Sequence, residues 1–440
     1  MSFRHVLAVS VIVCFVLYVF SSGIYVQVWP VLITRPAPDK PDFARYITRP
    51  RTLEEFLDES SKRAIIVGDI HGMQTPFFTL LSKLSYDPSK DVLIHTGDII
   101  AKSSHDGSMT VLSYMTQNNI TGVRGNHDEK VIEWRSWLEW MRSKDGGKSF
   151  LYEFHAKWEE AESSGAVDDP EVWAEHYIRK SKRDTKWWRK IPDGWKILSD
   201  HYRIAHAMSD AEYQYMVSLP LVLHIPSAHT FIAHGGVLPS DPRYKPSNPR
   251  QPLARVPKLP IYPVSSEDNE LKPKPKPDDT LARLRFLQES SILSDIPHNN
   301  DPWVTLNVRG VLKDHSITRS KDGVPWSDIW NHDVSMCAGF NTDGRKQKQS
   351  KGSLPCYPAT VVYGHAAARG LDVKRWSVGL DSGCVYEKRL SALVLDQKSQ
   401  NSPFQADDTL DGDIEFRKNK VFSIPFDQGT GHIVSISCKP

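Results

Sequence analysis

The sequence predicts an α/β fold, because short apolar runs alternate with amphipathic segments and each apolar run ends in polar residues. Ala64–Val67 is a continuous apolar run that ends in Gly68-Asp69-Ile70-His71-Gly72, and this pattern is typical of a buried strand. A single Asp-x-His would indicate only a polar strand end. Four further apolar runs end in polar motifs, however, and these are Gly97-Asp98, Gly125-Asn126-His127-Asp128, His234-Gly235-Gly236 and Gly364-His365. The carboxyl ends of parallel strands meet at one edge of a sheet, so the series predicts a shared site there.

The amino terminus is strongly apolar. Val6–Phe20 carries no charge, and the apolar character resumes as far as Trp29, which together approach the length that spans a bilayer as a helix. No small-x-small cleavage site follows cleanly, and a buried core helix would show a polar face. We therefore expect residues 1–29 to be a membrane anchor, residues 30–61 a proline-rich stalk, and residues 62–440 the catalytic domain.

The first half of that domain reads as a βαβαβ unit with parallel strands. Apolar residues at helical spacing predict crossover helices, and short β-rich runs predict the strands. Thr52 and Glu55 form a capping-box pattern for a short helix ahead of the unit. In order, the predicted elements are helix Thr52–Ser60, the organising strand 64–67, helix Met73–Leu84, strand Val92–His95, helix Ser108–Gln117 and strand Ile120–Val123.

Residues 129–200 differ in character, since they hold eight of the thirteen tryptophans. Trp134, Trp137 and Trp140 recur at helical spacing, which indicates a core stripe within a helical insertion that caps the site. Arg179–Lys190 contains seven basic residues against one Asp, with Trp187-Trp188 embedded. This run is either a solvated helix face or a rim that binds polyanions.

The second half returns to the sheet. Residues 241–277 form a proline- and lysine-rich loop for which no regular structure is expected. The other predicted elements are strands Tyr202–Ala207 and His229–Ala233, helix Leu281–Ser290, strands around Val361, Val378 and Leu393–Leu395, and an edge strand His432–Ser437.

The cysteines bear on the compartment. Cys337 and Cys356 bracket a basic loop and are either a disulfide, as in an oxidising compartment, or free buried thiols. Cys384 lies in an apolar segment and is interpreted as a core residue. Asn119-Ile120-Thr121 is a glycosylation sequon, which is consistent with a lumenal domain but common by chance.

The ordered motifs resemble those of the calcineurin-like metallophosphoesterases, the superfamily of serine/threonine phosphatases and diadenosine-tetraphosphate hydrolases, from about Arg63 to Asp396. The resemblance implies a metallophosphoesterase fold with a central β-sandwich flanked by helices. It also implies two divalent transition metal ions (Zn, Mn, Co or Fe) that activate hydroxide and hold the phosphoryl group for in-line displacement. Mixed carboxylate, amide and imidazole ligands suit these metals better than Ca²⁺. The implied ligands are Asp69, His71 and Asp98 for one ion, with Asp98 bridging to Asn126, His234 and His365 for the other.

The resemblance also assigns catalytic roles. His127 matches the histidine that protonates the leaving oxygen. Arg124 and Lys102 match residues that contact the phosphate, and Arg309 is a weaker match for the same role. Serine/threonine phosphatases have Asp at the position of Ala101, where it pairs with the catalytic histidine, so another group must orient His127.

Three other positions refine the branch and its chemistry. Asp128 and the segment Gly379–Val385, like Ala101, resemble the diadenosine-tetraphosphate hydrolase branch. Lys102 stands where arginine is usual and therefore lacks a bidentate fork for phosphate. We interpret His201, like His95 and His105, as an ordinary surface or core histidine.

Together with the anchor and the insertion, the Ala-Lys pair resembles fungal vacuolar endopolyphosphatases. This resemblance implies cleavage of inorganic polyphosphate at internal bonds, in a vacuolar membrane with the catalytic domain in the lumen. The net charge of +2 leaves polyanion binding to local basic stretches, namely Arg179–Lys190, Asp241–Pro277 and Arg345–Lys351.

Three alternatives remain open for the function. The first is a dinucleoside-polyphosphate or RNA-cap hydrolase, in which Trp187-Trp188 would stack on bases. The second is a phosphoprotein phosphatase, which Ala101 and Asp128 disfavour. The third is an inactive, membrane-tethered module that binds polyanions. We expect no stable nucleic-acid partner, and no protein partner is indicated.

Overall fold

The computed structural model describes residues 41–47, 50–53, 63–181, 185–259, 277–340, 352–396, 424–426 and 429–439. The predicted anchor and most of the stalk lie outside these ranges, as do residues 54–60 of the first predicted helix. Residues 182–184 of the first basic stretch, residues 260–276 of the second and all of the third, residues 345–351, also lie outside them. Among the described residues, no helix combines the length and the apolar character that a membrane span requires.

The strands of the described residues are short, most of them two to five residues. In chain order they are β1 (Arg51–Thr52), β2 (Arg63–Val67), β3 (Asp91–His95), β4 (Thr121–Gly122), β5 (Val222–Ile225), β6 (Thr230–Ala233), β7 (Gly310–Val311), β8 (Ile317–Thr318), β9 (Val324–Pro325), β10 (Thr360–Tyr363), β11 (Asp372–Lys374), β12 (Ser377–Gly379), β13 (Arg389–Asp396), β14 (Ile424–Phe426) and β15 (Gly429–Ser437).

The helices concentrate between β4 and β5. In chain order the α-helices of the described residues are α1 (Gln74–Lys83), α2 (His105–Gln117), α3 (Asn126–Arg142), α4 (Gly147–Ser163), α5 (Pro170–Lys180), α6 (Thr185–Trp188), α7 (Asp200–Ala207), α8 (Asp210–Ser218), α9 (Pro277–Asp295), α10 (Pro302–Asn307) and α11 (Trp326–Ser335).

Two six-stranded sheets form the centre of the described domain. The first has the order β14-β15-β13-β2-β3-β4, and the second β1-β5-β6-β10-β12-β11. Strand β2 shows why they stack: Ala64 and Ile66 belong to the apolar layer between the sheets, whereas Ile65 and Val67 belong to the layer under the helices. Alternate residues of a strand face opposite sides, so both faces are buried. The predicted α/β fold, with a central sandwich flanked by helices, is confirmed.

The predicted βαβαβ unit is also confirmed. Strand β2 pairs in parallel with β3, and β3 in parallel with β4. Helices α1 and α2 connect these strands in turn. The motifs that follow the three strands therefore lie at one edge of the first sheet.

Two predictions of secondary structure are wrong, and one on the last strand is confirmed. Residues 202–207 belong to helix α7 rather than a strand, because Ser199 caps the helix by accepting a hydrogen bond from the Tyr202 amide at 3.4 Å. Thr52 does not begin a helix; it lies in β1, which pairs with β5. Strand β15 pairs with β13, whereas β14 pairs only with residues 429–431, so among the described strands the predicted edge strand His432–Ser437 is confirmed.

The tryptophan-rich insertion is helical, as predicted, and continues through α7 and α8 to Ser218. Trp134 and Trp137 are 1% and 0% exposed, which confirms the core stripe. Trp187 and Trp188 are also buried, with the Trp188 ring 4.5 Å from the Phe150 ring centroid. Helix α3 begins at Asn126, so the insertion shares its first helix with a predicted site motif.

Two disulfide bonds join the second half of the domain. Cys337 is bonded to Cys356, the alternative that the sequence left open. Cys384 is bonded to Cys438, so its interpretation as a simple core residue is wrong. The register of β13 against β15 pairs Arg389 with Ser437, and this long-range pairing brings the two cysteines together.

Candidate active site

The six predicted ligands converge where the two sheets meet. His71 Nε2 lies 3.6 Å from Asp98 Oδ2, and His234 Nε2 lies 3.3 Å from the same oxygen. Asn126 Oδ1 lies 3.0 Å from His234 Nε2 and 2.9 Å from His365 Nδ1. Asp69 joins the cluster by accepting a hydrogen bond from the His365 amide at 3.0 Å.

The backbone around these residues is unusually close-packed. His71, Asp98 and His365 have φ values of 49°, 50° and 68°, which are uncommon for residues other than glycine. At Gly125, a Cβ atom would lie 2.1 Å from the amide nitrogen of Asp98, and at Gly364 a Cβ would lie 2.1 Å from Asp69 Oδ1. Both positions therefore require glycine.

Main-chain carbonyls orient the three imidazoles. His234 Nδ1 donates to the Thr96 carbonyl at 2.9 Å, and His365 Nε2 donates to the Asn307 carbonyl at 3.1 Å. His71 Nδ1 has a longer contact, 3.4 Å, with the Ile100 carbonyl. Since a carbonyl can only accept, the other nitrogen of each ring faces the cluster and presents a lone pair to it when the ring is neutral, which is the arrangement of metal-binding histidines.

The electrostatics of the cluster fit a cation. Burial raises the pKa of Asp69, and the neighbouring Asp381 carboxylate raises it further. Burial lowers the pKa of His71 and of His365, which favours the neutral rings that ligate metals. Burial disfavours a charge on His234, but the Asp98 carboxylate outweighs burial and raises the pKa of His234 to about 10. The protonated ring thus balances a buried negative charge that a divalent cation would otherwise neutralise. Asp69, His71 and Asp98 place one ligand atom each within 4.8 Å of one another, and the donor types fit divalent transition metals.

Asp128 holds two of the motifs together. Its carboxylate accepts hydrogen bonds from the amides of Asp98 and Gly125, both at 2.8 Å, and from Ile99 at 3.1 Å. Burial raises the pKa of Asp128 to about 7, and the nearby Asp98 carboxylate contributes. The side chain therefore fixes the loops that carry the cluster.

His127 lies beside the cluster, on the first turn of α3. Its amide donates to Asp98 Oδ1 at 2.8 Å. Its ring nitrogen Nδ1 lies 2.8 Å from His201 Nε2, and His201 Nδ1 lies 2.6 Å from Asp200 Oδ1. The interpretation of His201 as an ordinary surface or core histidine is therefore wrong.

Burial lowers the pKa of His127 to about 3, and the Asp98 carboxylate opposes this shift. A general acid must hold its proton near neutral pH. An anionic substrate next to the ring would favour the protonated form.

Comparison with known proteins gives a match that includes several of these site residues. Residues 62–225 match the family model of calcineurin-like phosphoesterases. The match covers less than half of the chain, and over this segment it supports the resemblance to calcineurin-like metallophosphoesterases. The matched segment contains Asp69, His71, Asp98, Asn126 and His127, whereas His234 and His365 lie beyond it.

Curated relatives of the chain match over short segments. The symmetrical bis(5'-nucleosyl)-tetraphosphatase of Haemophilus ducreyi is 48% identical over 69 residues, which is 15% of this chain and 25% of the relative. That of Klebsiella pneumoniae is 34% identical over 88 residues, 20% of this chain and 30% of the relative. Serine/threonine-protein phosphatase 1 of Salmonella typhimurium is 29% identical over 89 residues, 20% of this chain and 40% of the relative. The chain thus spans about a quarter to two fifths of the length of these relatives.

Among solved structures, that of a putative diadenosine tetraphosphatase aligns with a TM-score of 0.41 and 20% identity. The alignment covers 79% of this chain and 93% of the other.

Of the three cations predicted to contact phosphate, Arg124 occupies a different place. The side chain is fully buried, and its guanidinium donates to the Tyr46 carbonyl, to Glu129 Oε2 and to the Val217 carbonyl, each at 2.7 Å. These contacts contradict the predicted phosphate contact, because the buried guanidinium donates to acceptors of the protein itself.

Lys102 and Arg309 remain candidates. Lys102 is exposed, and its positive charge lowers the pKa of His71 and His127, which places it beside the cluster. Arg309 Nη2 donates to the His365 carbonyl at 2.9 Å. Its charge acts on the pKa of His365, so it too lies near the ligands.

Sequence reasoning missed four residues at the site. Asp381 is buried next to Asp69. It lies in the segment 379–385, which resembles the diadenosine-tetraphosphate hydrolase branch. Arg369 donates to the Arg309 carbonyl. Asp200 and His201 belong to no motif of the sequence. The sole signal for them was Ala101, which lacks the carboxylate that pairs with the catalytic histidine in serine/threonine phosphatases.

Proposed function

We propose that this metallophosphoesterase hydrolyses phosphoanhydride bonds, and that its substrate is inorganic polyphosphate cut at internal positions. The observation that carries the proposal is the convergence of six ligand side chains and His127 at one edge of the sandwich. Two of the three relatives described above are named as nucleosyl-tetraphosphatases, which supports an anhydride substrate in preference to a phosphoprotein. The absence of a carboxylate at Ala101 supports the same choice.

The ligand set would hold two divalent cations, which supply Lewis-acid charge for phosphoryl transfer when bound. Asp69 and His71 would serve one position and Asn126, His234 and His365 the other, with Asp98 between them. His127 would give a proton to the leaving phosphate oxygen. Lys102 and Arg309 would contact the anionic substrate.

The burial of Trp187 and Trp188 bears on the substrate. A nucleotide-directed enzyme could use an exposed aromatic pair to stack on bases, but these rings are 8% and 9% exposed and pack against Phe150. This removes the feature that favoured a dinucleoside-polyphosphate or RNA-cap substrate. A polymer of phosphates needs no base contact, so polyphosphate is the better fit.

The location is part of the same proposal. The apolar residues 1–29 support a membrane anchor, and the two disulfides support an oxidising compartment such as a lumen. We propose a vacuolar membrane protein with a lumenal catalytic domain.

The test is turnover by the purified full chain after chelation and separate addition of Zn²⁺, Mn²⁺ and Co²⁺. Long-chain polyphosphate, diadenosine tetraphosphate and a phosphopeptide are offered separately, and product lengths are resolved on a gel. Metal-dependent polyphosphate products of intermediate length are expected. His127→Ala should remove them, whereas His206→Ala, a histidine on helix α7 without contact to His127, should not.

Other outcomes reassign the protein. Cleavage of the dinucleotide alone would make it a nucleotide hydrolase, and cleavage of the phosphopeptide alone would make it a protein phosphatase. Binding of polyphosphate without turnover under any metal would favour the inactive binding module.

A further inference from the structure

We propose that His201 and Asp200 are positioning residues that orient His127 through a chain of two hydrogen bonds. The inference rests on the proposed role of His127 as the proton donor. It assigns part of the catalytic machinery to the tryptophan-rich insertion, because both residues lie on the first turn of helix α7.

The direction of each hydrogen bond follows from the chemistry of the groups. The carboxylate of Asp200 can only accept, so the His201 nitrogen that lies 2.6 Å from it, Nδ1, carries the hydrogen. In a neutral ring the other nitrogen, Nε2, then has a lone pair. His127 Nδ1, at 2.8 Å from that lone pair, must be the donor.

This chain selects one form of His127. Nδ1 of His127 keeps its hydrogen and donates it in the hydrogen bond to His201. The other ring nitrogen, Nε2, is therefore the one that holds the transferable proton. In the reaction the bond from phosphorus to the leaving oxygen breaks, a water oxygen bonds to phosphorus and releases one proton to the solvent, and the Nε2 proton moves to the leaving oxygen. His127 is then neutral and still donates from Nδ1 to His201.

Asp200 is itself held in place. Its Oδ2 accepts a hydrogen bond from the Lys102 amide at 2.8 Å, and its Oδ1 accepts one from the His201 amide at 2.7 Å. These bonds tie the first turn of α7 to the loop that carries Lys102. The carboxylate is therefore fixed relative to the site and not only to its own helix.

Packing within the insertion keeps α7 against α3. Tyr202, next to His201, is fully buried, and its ring lies edge-on to Trp134 with 5.0 Å between centroids. The Tyr202 hydroxyl also lies 2.7 Å from His155 Nε2 on α4. Three helices of the insertion thus set the distance between His201 and His127.

The side chain of Ala101 cannot orient His127. Ala101 is buried, and its amide donates to Ser108 Oγ at 3.2 Å, but its methyl side chain offers no acceptor for an imidazole. His201 supplies the acceptor from a residue 74 positions after His127.

The first test compares leaving groups, using the metal-loaded full chain with phenyl phosphate and 4-nitrophenyl phosphate. Phenolate needs a proton to leave, whereas 4-nitrophenolate leaves without one. His201→Ala should lower kcat for phenyl phosphate roughly 10- to 100-fold, as expected when a general acid loses its orientation. The loss for 4-nitrophenyl phosphate should be under about threefold, and KM should change little for either.

Matched variants separate positioning from folding. His201→Gln retains an acceptor oxygen and should recover much of the phenyl phosphate rate. His176→Ala, which removes an exposed histidine of helix α5 in the insertion, should leave both rates unchanged. Equal losses for both leaving groups in His201→Ala, with no recovery in His201→Gln, would overturn the proposal.

The second test needs neither metal nor substrate. In the metal-free full chain labelled with ¹⁵N-histidine, the His127 signal is assigned by its loss in His127→Gln. The wild type should show the Nδ1-protonated tautomer, and Asp200→Asn and His201→Ala should shift His127 toward the Nε2-protonated form. An unchanged tautomer in both variants would contradict the proposal. If the wild type cleaves no polyphosphate with any added metal, the proposed function is what fails, and the tautomer measurement still decides the positioning role.

Discussion

The imidazoles of the site are held in two different ways. His234 and His365 are oriented by main-chain carbonyls of the sandwich and its loops, whereas His127 is oriented by a side chain from the helical insertion. Main-chain carbonyls are fixed wherever the sheets form. The His127 contact, by contrast, exists only while α7 stays packed against α3. The ligand cluster and the proton donor should therefore respond differently to substitutions and to pH.

The largest expected effect comes from the shared carboxylate of the cluster. Asp98→Asn removes a buried charge that both proposed cation positions would use, so turnover should fall at least 10²- to 10³-fold, corresponding to several kcal/mol of lost stabilisation. Metal content measured by mass spectrometry should fall with it. Asp200→Asn makes the same chemical change outside the cluster and should leave the metal content intact. Equal metal loss in both variants would contradict the separate roles of the ligand cluster and of the residues that orient His127.

The backbone of the cluster should be equally intolerant of added volume. Gly125→Ala places a Cβ against main-chain and side-chain atoms of Asp98, so the two loops must separate. We expect the loss of metal binding, measured by titration calorimetry, together with a lower thermal midpoint. Gly165→Ala in the insertion meets no atom within 4 Å and should cost only about 1 kcal/mol for its left-handed backbone.

Arg124 offers a test of a framework role against a substrate role. Arg124→Met leaves the Glu129 carboxylate and two carbonyls without this donor, so the free energy of unfolding should fall by about 3 kcal/mol. Urea denaturation would measure it. The KM for polyphosphate should rise less than about threefold, and a much larger rise with unchanged stability would restore the phosphate contact.

The smallest effect concerns pH and the insertion. Burial lowers the pKa of His155 to about 3, and the charges of His206 and Arg142 contribute. The unfolded chain, with an ordinary pKa near 6.5, takes up this proton first as the pH falls, so stability is lost progressively from about pH 6.5 toward pH 3. At pH 5 the loss should be roughly 1 to 2 kcal/mol. His155→Gln should flatten this part of the curve of unfolding free energy against pH, and an unchanged slope would exclude His155 as its source.

What the sequence could predict follows the same division. Each ligand motif comes directly after a strand, and the parallel order of β2, β3 and β4 brings their ends together. His201 could not be found in this way. Its contact with His127 depends on how two helices of an insertion pack, and Tyr202, Ile204 and His206 alternate as a strand would. The Cys384–Cys438 bond was missed for a similar reason, since it depends on the register of two strands distant in sequence.

That disulfide encloses the part of the chain between β13 and β14. Cys384 lies three residues after Asp381, which borders the ligand cluster, and Cys438 directly follows β15. A protease that cuts anywhere between Asp396 and Ile424 would therefore produce two peptides that remain a single molecule. The final strands would separate from the catalytic sheet only after reduction, and the cleaved and intact forms would differ on a gel only in the presence of a thiol.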